Sequence, residues 1–556
     1  MIKMFKWLSL IFPAFFIIIL SDNKIKILSN HLFGEARYRR VTLNTGNIPV
    51  PHERTIKWGK SSSFADSIYN YFAQRPVTKK MLSGKGITPE IILSKMLAGK
   101  DIENANKILL SYKPWGVSGS SWALNKKGDY DFVLTTFTTI LWFFGDRSDI
   151  LFPDTKEYLL NVLLIEEGNN FRYAAPKTLG LVRETENHLL MTEGSRYLKN
   201  RWLMTHGNND RRFNNELNGM EDKILSMLDE IAKAGLYEFN SNPYIGYTIR
   251  ALLNLDAFAS EKVKIKARNV LDYINFCYAL GSYKLKHYPP MRRRYEKYIL
   301  QGLTTGYQSV FMKAWLSYTG ITGYNTDFDG GEVHALIGAC MPYRPPDKVV
   351  ELLFNKHNGY FVRLGHGPDA SPEIYSAGKH FLLSAGGVNR GKRSLIVSRP
   401  ITLFMDDDAL NLSETIHLSG PGTDFMKWNN TGVYRNFACA AGPVFVPSTA
   451  KCAGQNGKWA VYSMKDSVAI AVYSTHDLGL IIICENCMPE ALLRNIVKEN
   501  SEHEELKKSF NFPDGNKISY DVNAPKNKWV IISYNNQMLE RDFDKWPLIE
   551  GTFNND

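Results

Sequence analysis

Asn187 and His188 stand side by side in Arg183-Glu184-Thr185-Glu186-Asn187-His188-Leu189-Leu190, a stretch that runs on to Leu198 with apolar neighbours at helical spacing. One side chain donates an amide proton and the other an imidazole proton, so together they can bind a carboxylate. Being adjacent, they converge on one ligand group only near a helix end or in a loop. The plain alternative is a capped helix whose polar residues are solvated. A second segment, Gly235-Leu236-Tyr237-Glu238-Phe239-Asn240-Ser241-Asn242-Pro243-Tyr244-Ile245-Gly246-Tyr247-Thr248, joins two helical runs through an Asn-Ser-Asn-Pro turn. Pro243 fixes φ at or just before the next helix, so Tyr244 and Tyr247 project from its first turn. The field at a helix N-terminus stabilises phenolate and suits a tyrosine to acid/base work, although a packed aromatic is the simpler account.

Other motifs fail on inspection. Gly59-Lys60-Ser61 imitates the end of a phosphate-binding loop, but Arg54 stands where its first glycine belongs. His503-Glu504-Glu505 lacks the second histidine of a zinc protease, and there is neither a GxSxG elbow nor a dinucleotide-binding fingerprint. Of the six cysteines only Cys484 and Cys487 have CxxC spacing, with no second pair to complete a zinc site. Buried thiols with at most one bridge are expected.

The chain on either side of these residues has two textures. From about Ser61 to Val350 apolar residues recur at helical spacing, as in Tyr130 to Phe144, Glu157 to Ile165, Lys223 to Ala234, Gly246 to Phe258 and Ser260 to Leu280. Short loops between them predict antiparallel helix pairs. Beyond Asn358 the runs Gly359 to Leu364, Lys379 to Leu383, Ser394 to Val397, Trp459 to Tyr462, Val468 to Val472, Leu480 to Ile483 and Lys528 to Ile532 are short, β-rich and separated by turn residues. They predict an antiparallel β-sandwich with one polar helix inserted from Asn495 to Lys508. The expectation is a two-domain α+β chain, helical over 40–355 and all-β over 356–556.

At 556 residues and 44% hydrophobic, the chain is neither disordered nor a small disulfide-stapled fold. A net charge of +11 points to anionic partners, and charge alone leaves nucleic acid, acidic lipid and acidic polysaccharide open. Lys3 and Lys6 precede an apolar run from Trp7 to Leu20, so residues 1–21 have the form of a signal peptide or signal anchor. That predicts a secreted or periplasmic protein, membrane-tethered only if the segment stays uncleaved. It also argues against nucleic acid as the partner.

The two chemistry-bearing segments, in this order and about one helix pair apart, resemble those of polysaccharide lyases built as an (α/α) toroid followed by a β-sandwich, in the alginate lyase and heparinase II/III-like group. The resemblance extends to Ala251 to Phe258 and to Pro372-Glu373-Ile374-Tyr375-Ser376 through Gly387, covering about 120 to 440 in order of elements. It implies that the helical half is a toroid, that Asn187 and His188 bind a uronate carboxylate, and that Tyr244 serves as acid or base. Related lyases often carry a His-x-His-x-Asp stretch, connected with a structural zinc, at the entry to the sandwich. Here Gly365-His366-Gly367-Pro368-Asp369 keeps one histidine and one aspartate, so a structural divalent metal, the sole cofactor at issue, is short of ligands.

The expected reaction is β-elimination. Asn187 and His188 would stabilise the enolate-like charge that develops on the uronate carboxylate, and Tyr244 would protonate the O4 leaving group. A further base is expected from the sandwich, with Tyr434 in Thr431-Gly432-Val433-Tyr434-Arg435-Asn436 as the candidate. Arg292, Arg293 and Arg294 beside Tyr295 are either a solvated surface or a set of forks for carboxylates or sulfates. If that stretch is helical, Arg292 and Tyr295 share a face and bind substrate together with Tyr247. The rivals are a glycoside hydrolase using Glu184, Glu186, Glu193 or Glu238, and a glycan-binding protein without catalysis.

Overall fold

The computed structural model describes residues 46–83, 86–114, 130–164, 184–241, 244–292, 302–326, 332–356, 359–366, 373–386, 396–397, 401–418, 431–524, 529–539 and 548–554. The signal-like segment 1–21, Pro243, Arg293, Arg294, Tyr295 and Asp369 lie outside these residues.

The helices are α1 (Ser63–Ala73), α2 (Thr88–Leu97), α3 (Ile102–Ser111), α4 (Asp131–Phe144), α5 (Pro153–Tyr158), α6 (Glu186–Thr205), α7 (Met220–Ala234), α8 (Tyr244–Phe258), α9 (Glu261–Leu280), α10 (Tyr307–Leu316), α11 (Glu332–Cys340), α12 (Asp347–Phe354), α13 (Pro489–Glu499) and α14 (His503–Leu506). Consecutive helices pack on one another, α1 on α2, α8 on α9 and α10 on α11, while α4 packs on α2, α6 and α8. The sequence of α4 explains its place. It is apolar on nearly every side, so Val133, Phe137, Ile140 and Leu141 are buried together with its threonines. Two of those threonines bond to neighbouring helices inside the core: Thr139 donates to Asn254 at 2.9 Å and Thr136 to Glu90 at 2.8 Å. Arg250 of α8 closes this network by pairing with Glu90. Removing one member of such a buried pair typically costs about 3–5 kcal/mol.

The strands are β1 (Ser282–Tyr283), β2 (Lys286–His287), β3 (Met291–Arg292), β4 (Tyr360–Leu364), β5 (Glu373–Ala377), β6 (Phe381–Ala385), β7 (Ile396–Val397), β8 (Ile401–Met405), β9 (His417–Leu418), β10 (Thr431–Tyr434), β11 (Phe437–Ala440), β12 (Val444–Phe445), β13 (Lys451–Asn456), β14 (Trp459–Ser463), β15 (Val468–Ser474), β16 (Gly479–Glu485), β17 (Ser509–Asn511), β18 (Lys517–Tyr520), β19 (Ile531–Tyr534), β20 (Gln537–Met538) and β21 (Ile549–Phe553). They pair antiparallel in a seven-stranded sheet ordered β12-β9-β8-β6-β5-β4-β21, a six-stranded sheet ordered β10-β11-β16-β15-β14-β13, a four-stranded sheet ordered β17-β18-β19-β20 and the two-stranded pairs β1-β2 and β3-β7.

Side-chain alternation stacks these sheets into layers. In β4, Tyr360, Val362 and Leu364 join the helical core, while Phe361 packs on the core facing the six-stranded sheet. In β16, Ile481 and Ile483 face the seven-stranded sheet, whereas Leu480 and Ile482 face α13 and the four-stranded sheet. Helices, two stacked sheets and a small outer layer therefore follow one another. Because β16 is apolar on both faces, its run reads as unbroken hydrophobicity in the sequence.

Three local expectations change. The single polar helix over 495–508 is two helices, with Pro489 opening the first in its N-terminal turn and Asn500 ending it by bonding the Ile496 carbonyl at 3.0 Å and the Asn511 carbonyl at 2.9 Å. Arg292 sits in a strand, paired with Ile396 of β7, so the helical face proposed for Arg292 and Tyr295 does not form at Arg292. Cys484 and Cys487 form one disulfide, within the single bridge expected, but Cys452 is exposed rather than buried. Among the described residues no helix is long and apolar enough to cross a membrane.

Candidate functional site

Thr185 is the N-cap of α6, which puts Asn187 and His188 in its first turn. That is the helix end at which neighbouring residues can serve one ligand, and the positive end of the helix dipole favours an anion there. The Thr185 hydroxyl donates to Asn187 Oδ1 and so fixes which end of the amide faces inward. Asn187 is fully buried, and its Nδ2 has no acceptor among the described residues. A buried donor in that state costs about 1–3 kcal/mol unless an oxygen reaches it.

His188 is 12% exposed and its Nδ1 lies 2.5 Å from Asp131 Oδ2. Asp131 is the first residue of α4, so the contact exists because α4 and α6 pack side by side. The carboxylate fixes the imidazole's orientation and commits Nδ1, which leaves any substrate role to Nε2. Phe132, next along α4, gathers the rest. Its ring centroid is 5.3 Å from His188, 4.5 Å from Tyr247 and 6.5 Å from Tyr244. Tyr244 opens α8 and Tyr247 follows one turn later, both half-buried.

Beneath these rings Gly246 lets α8 approach α11. A Cβ at Gly246 would lie 2.7 Å from His334 Cε1. The His334 ring is 5.3 Å from that of Tyr247 and 4.4 Å from that of Tyr307. Burial, helped by the Arg250 charge, holds His334 well below the usual imidazole range, so it is neutral. Burial raises the Tyr247 phenol, which makes Tyr247 a poor base and a good wall.

The turn between α7 and α8 is held from three sides. Glu186 Oε1 accepts from the Glu238 backbone N–H at 2.7 Å, and Asn240 donates to the Pro290 carbonyl at 3.0 Å. Phe239 stacks on His366 with centroids 3.6 Å apart, and His366 Nε2 meets Glu373 Oε1 at 2.5 Å. A sandwich histidine thus reaches the turn that carries Tyr244. Glu184, Glu186 and Glu238 are buried, and Glu186 is occupied by a backbone amide, while Glu193 pairs with Arg196 at 2.5 Å. These bonds give Glu186 Oε1 and Glu193 structural duties.

Not every expected site residue joins this group. Tyr434 packs at 5.2 Å from Phe361 and 5.1 Å from Tyr534, both in sandwich strands and, for Phe361, on the face of β4 turned away from the helices. Arg292 lies in the strand that follows Pro290, whose carbonyl accepts from Asn240, and Tyr295 lies outside the described residues. Among the described residues no cluster of three or more His, Cys, Asp or Glu could hold a metal ion, and His366 is engaged with Glu373. The donors on hand do not fit the structural zinc.

Three participants were not foreseen: Asp131, Phe132 and His334. Asp131 did leave a signal, being the only charged residue in the apolar run from Tyr130 to Phe144. Compared with protein-family models and with curated proteins, the sequence finds no match in either.

Proposed function

We propose that this protein is an exported polysaccharide lyase that cleaves a uronate-containing polymer by β-elimination, with its helical half arranged as an (α/α) toroid. The observation that carries the reading is His188, anchored by Asp131 at 2.5 Å in the first turn of α6 and grouped with Tyr244 around Phe132. The C5 proton of a uronate is hard to remove while the neighbouring carboxylate is ionised. His188, together with Asn187 once its buried amide is reached, would hydrogen-bond that carboxylate and favour the enolate-like charge formed as the proton leaves. Tyr244, starting as the phenolate, would take the C5 proton and then deliver it to the O4 leaving group in a syn elimination, which needs no second base. The metal implied by the family resemblance plays no part in these steps.

The hydrolase alternative needs two carboxylates facing one bond with water between them. Glu186, held by a backbone amide, argues against it. The test is a screen of the purified protein against alginate, glucuronan, hyaluronan, chondroitin, heparin and ulvan. A lyase releases an unsaturated uronate that absorbs in the ultraviolet. No absorbing product from any of the six overturns the proposal.

A further inference from the structure

A groove of about 990 Å³ opens on the sandwich, bordered by Phe361 and Arg363 of β4, Ser376 of β5, and the tip of the β10–β11 hairpin at Tyr434, Arg435 and Asn436. A smaller recess of about 170 Å³ shares Phe361, Arg363 and Tyr434 with it and adds Trp529. Phe361 alternates away from the helical core, so the groove is distinct from the group around Phe132.

Two arginines in this groove are held in place by aromatic rings. The Arg435 guanidinium lies 5.4 Å from the ring centroids of both Tyr434 and Tyr534, and that of Arg363 lies 5.2 Å from Trp529 and 5.9 Å from Phe361. Among the described residues no carboxylate pairs with Arg435. Arg363 pairs through Nη2 with Glu550 Oε1 at 2.6 Å, while its Nε is buried without a hydrogen-bond partner among the described residues.

Arg435 and Asn436 form the two-residue turn between Tyr434 and Phe437. The φ of Arg435 is 52°, in the left-handed region where glycine or asparagine is favoured. Its carbonyl accepts from Ser376 Oγ at 2.6 Å, and Asn436 bonds Ile483 through both side chain and backbone at 2.8 and 2.9 Å. Strain kept at a pinned hairpin tip, with a cation set between two rings at a groove, is the arrangement of a preorganised binding residue.

We propose that this groove is a second glycan site, which takes an acidic oligosaccharide with a carboxylate or sulfate on Arg435 and Arg363 and a sugar face on Tyr434. Guanidinium forks match either oxyanion, and aromatic faces suit the C–H face of a sugar ring. Such a site would hold a polymer without cleaving it.

The test uses the full chain carrying Tyr244→Phe, so that cleavage does not consume the probe. Hexasaccharides of alginate and of chondroitin sulfate are added, with cellohexaose as the neutral control, and amide hydrogen exchange is followed. The expected result is protection of residues 431–437 by an acidic hexasaccharide and not by cellohexaose. Arg435→Gln should abolish that protection and weaken the corresponding affinity at least tenfold. Arg435→Gly, which relieves the left-handed backbone, should lose the protection while melting no lower than the parent. Protection of 431–437 that survives both substitutions, that cellohexaose gives equally, or that never appears with either acidic hexasaccharide overturns the second site. None of these outcomes bears on whether the helical site is a lyase, which is read from product.

Discussion

His188 Nδ1 and Asp131 Oδ2 lie 2.5 Å apart, joining the first turn of α6 to the first residue of α4. A histidine so anchored presents Nε2 in one orientation. Asp131→Asn keeps a hydrogen-bonding group but replaces a carboxylate oxygen that holds the ring with a neutral amide. Its turnover should fall about 10–100-fold, the magnitude found for orienting partners of metal-bound histidines. His188→Ala and Asn187→Ala should each lower kcat about 10²–10³-fold, with KM changing less, because the charge they meet grows toward the transition state. Steady-state kinetics on the best polymer decides. A pure KM effect would mean that they only dock the substrate.

Tyr244 and Tyr247 share a helix turn, and their roles should separate. Tyr244→Phe removes only the phenolic oxygen and should cost about 10²–10⁴-fold in turnover with the fold intact. Tyr247 contributes a ring packed at 4.5 Å against Phe132, so Tyr247→Phe should stay within a few-fold of the parent. Equal losses in the two variants would contradict the assignment.

Gly246 and His334 are coupled by contact. Gly246→Ala puts a methyl 2.7 Å from the imidazole, and overpacking of this kind typically costs about 1–3 kcal/mol. His334→Ala opens the space the methyl needs. Urea unfolding of both single variants and the double variant should show the double less destabilised than the sum. Strict additivity would mean that α8 and α11 already have slack between them.

His334 and His287 also predict how stability depends on pH. Burial lowers both, His287 to about 3, so both are neutral in the folded chain across the mildly acidic range. In the unfolded chain each protonates below about 6.5. Above that pH neither state takes up the proton and nothing is lost. As pH falls from 6.5 towards 3, the unfolded state gains protons that the folded state refuses, and stability declines. Between pH 7 and 5 His287 should account for about 2 kcal/mol, and His334 adds to the decline in the same direction. Urea titrations at the two values should show a drop that His287→Leu makes smaller by about that amount, and an unchanged drop would contradict neutral burial.

The elements that the sequence made legible are those whose own residues determine them. The period-two and continuous apolar runs at Val468 to Val472 and Leu480 to Ile483 became β15 and β16, and the polar starts at Glu186 and Tyr244 became the first turns of α6 and α8. What stayed hidden depends on partners far along the chain. Arg292 is a strand residue because Ile396 pairs with it, and nothing local to Pro289-Pro290-Met291 announces that. The Asp131–His188 contact spans 57 residues and exists only once α4 lies against α6. Tyr434 shares no spacing rule with Phe361, yet the stacking of two sheets puts their rings 5.2 Å apart, away from the helical group.

Elimination and hydrolysis both create one new reducing end per cut, but only elimination creates one unsaturated uronate with it. The most direct measurement counts both in the same digest, by ultraviolet absorbance and by reducing-end titration, for the parent protein and His188→Ala on the polymer that the screen selects. The account predicts equal numbers of the two products throughout the parent digest and a joint collapse of both in the variant. Reducing ends that accumulate without ultraviolet absorbance would contradict it, as would a His188→Ala digest indistinguishable from that of the parent.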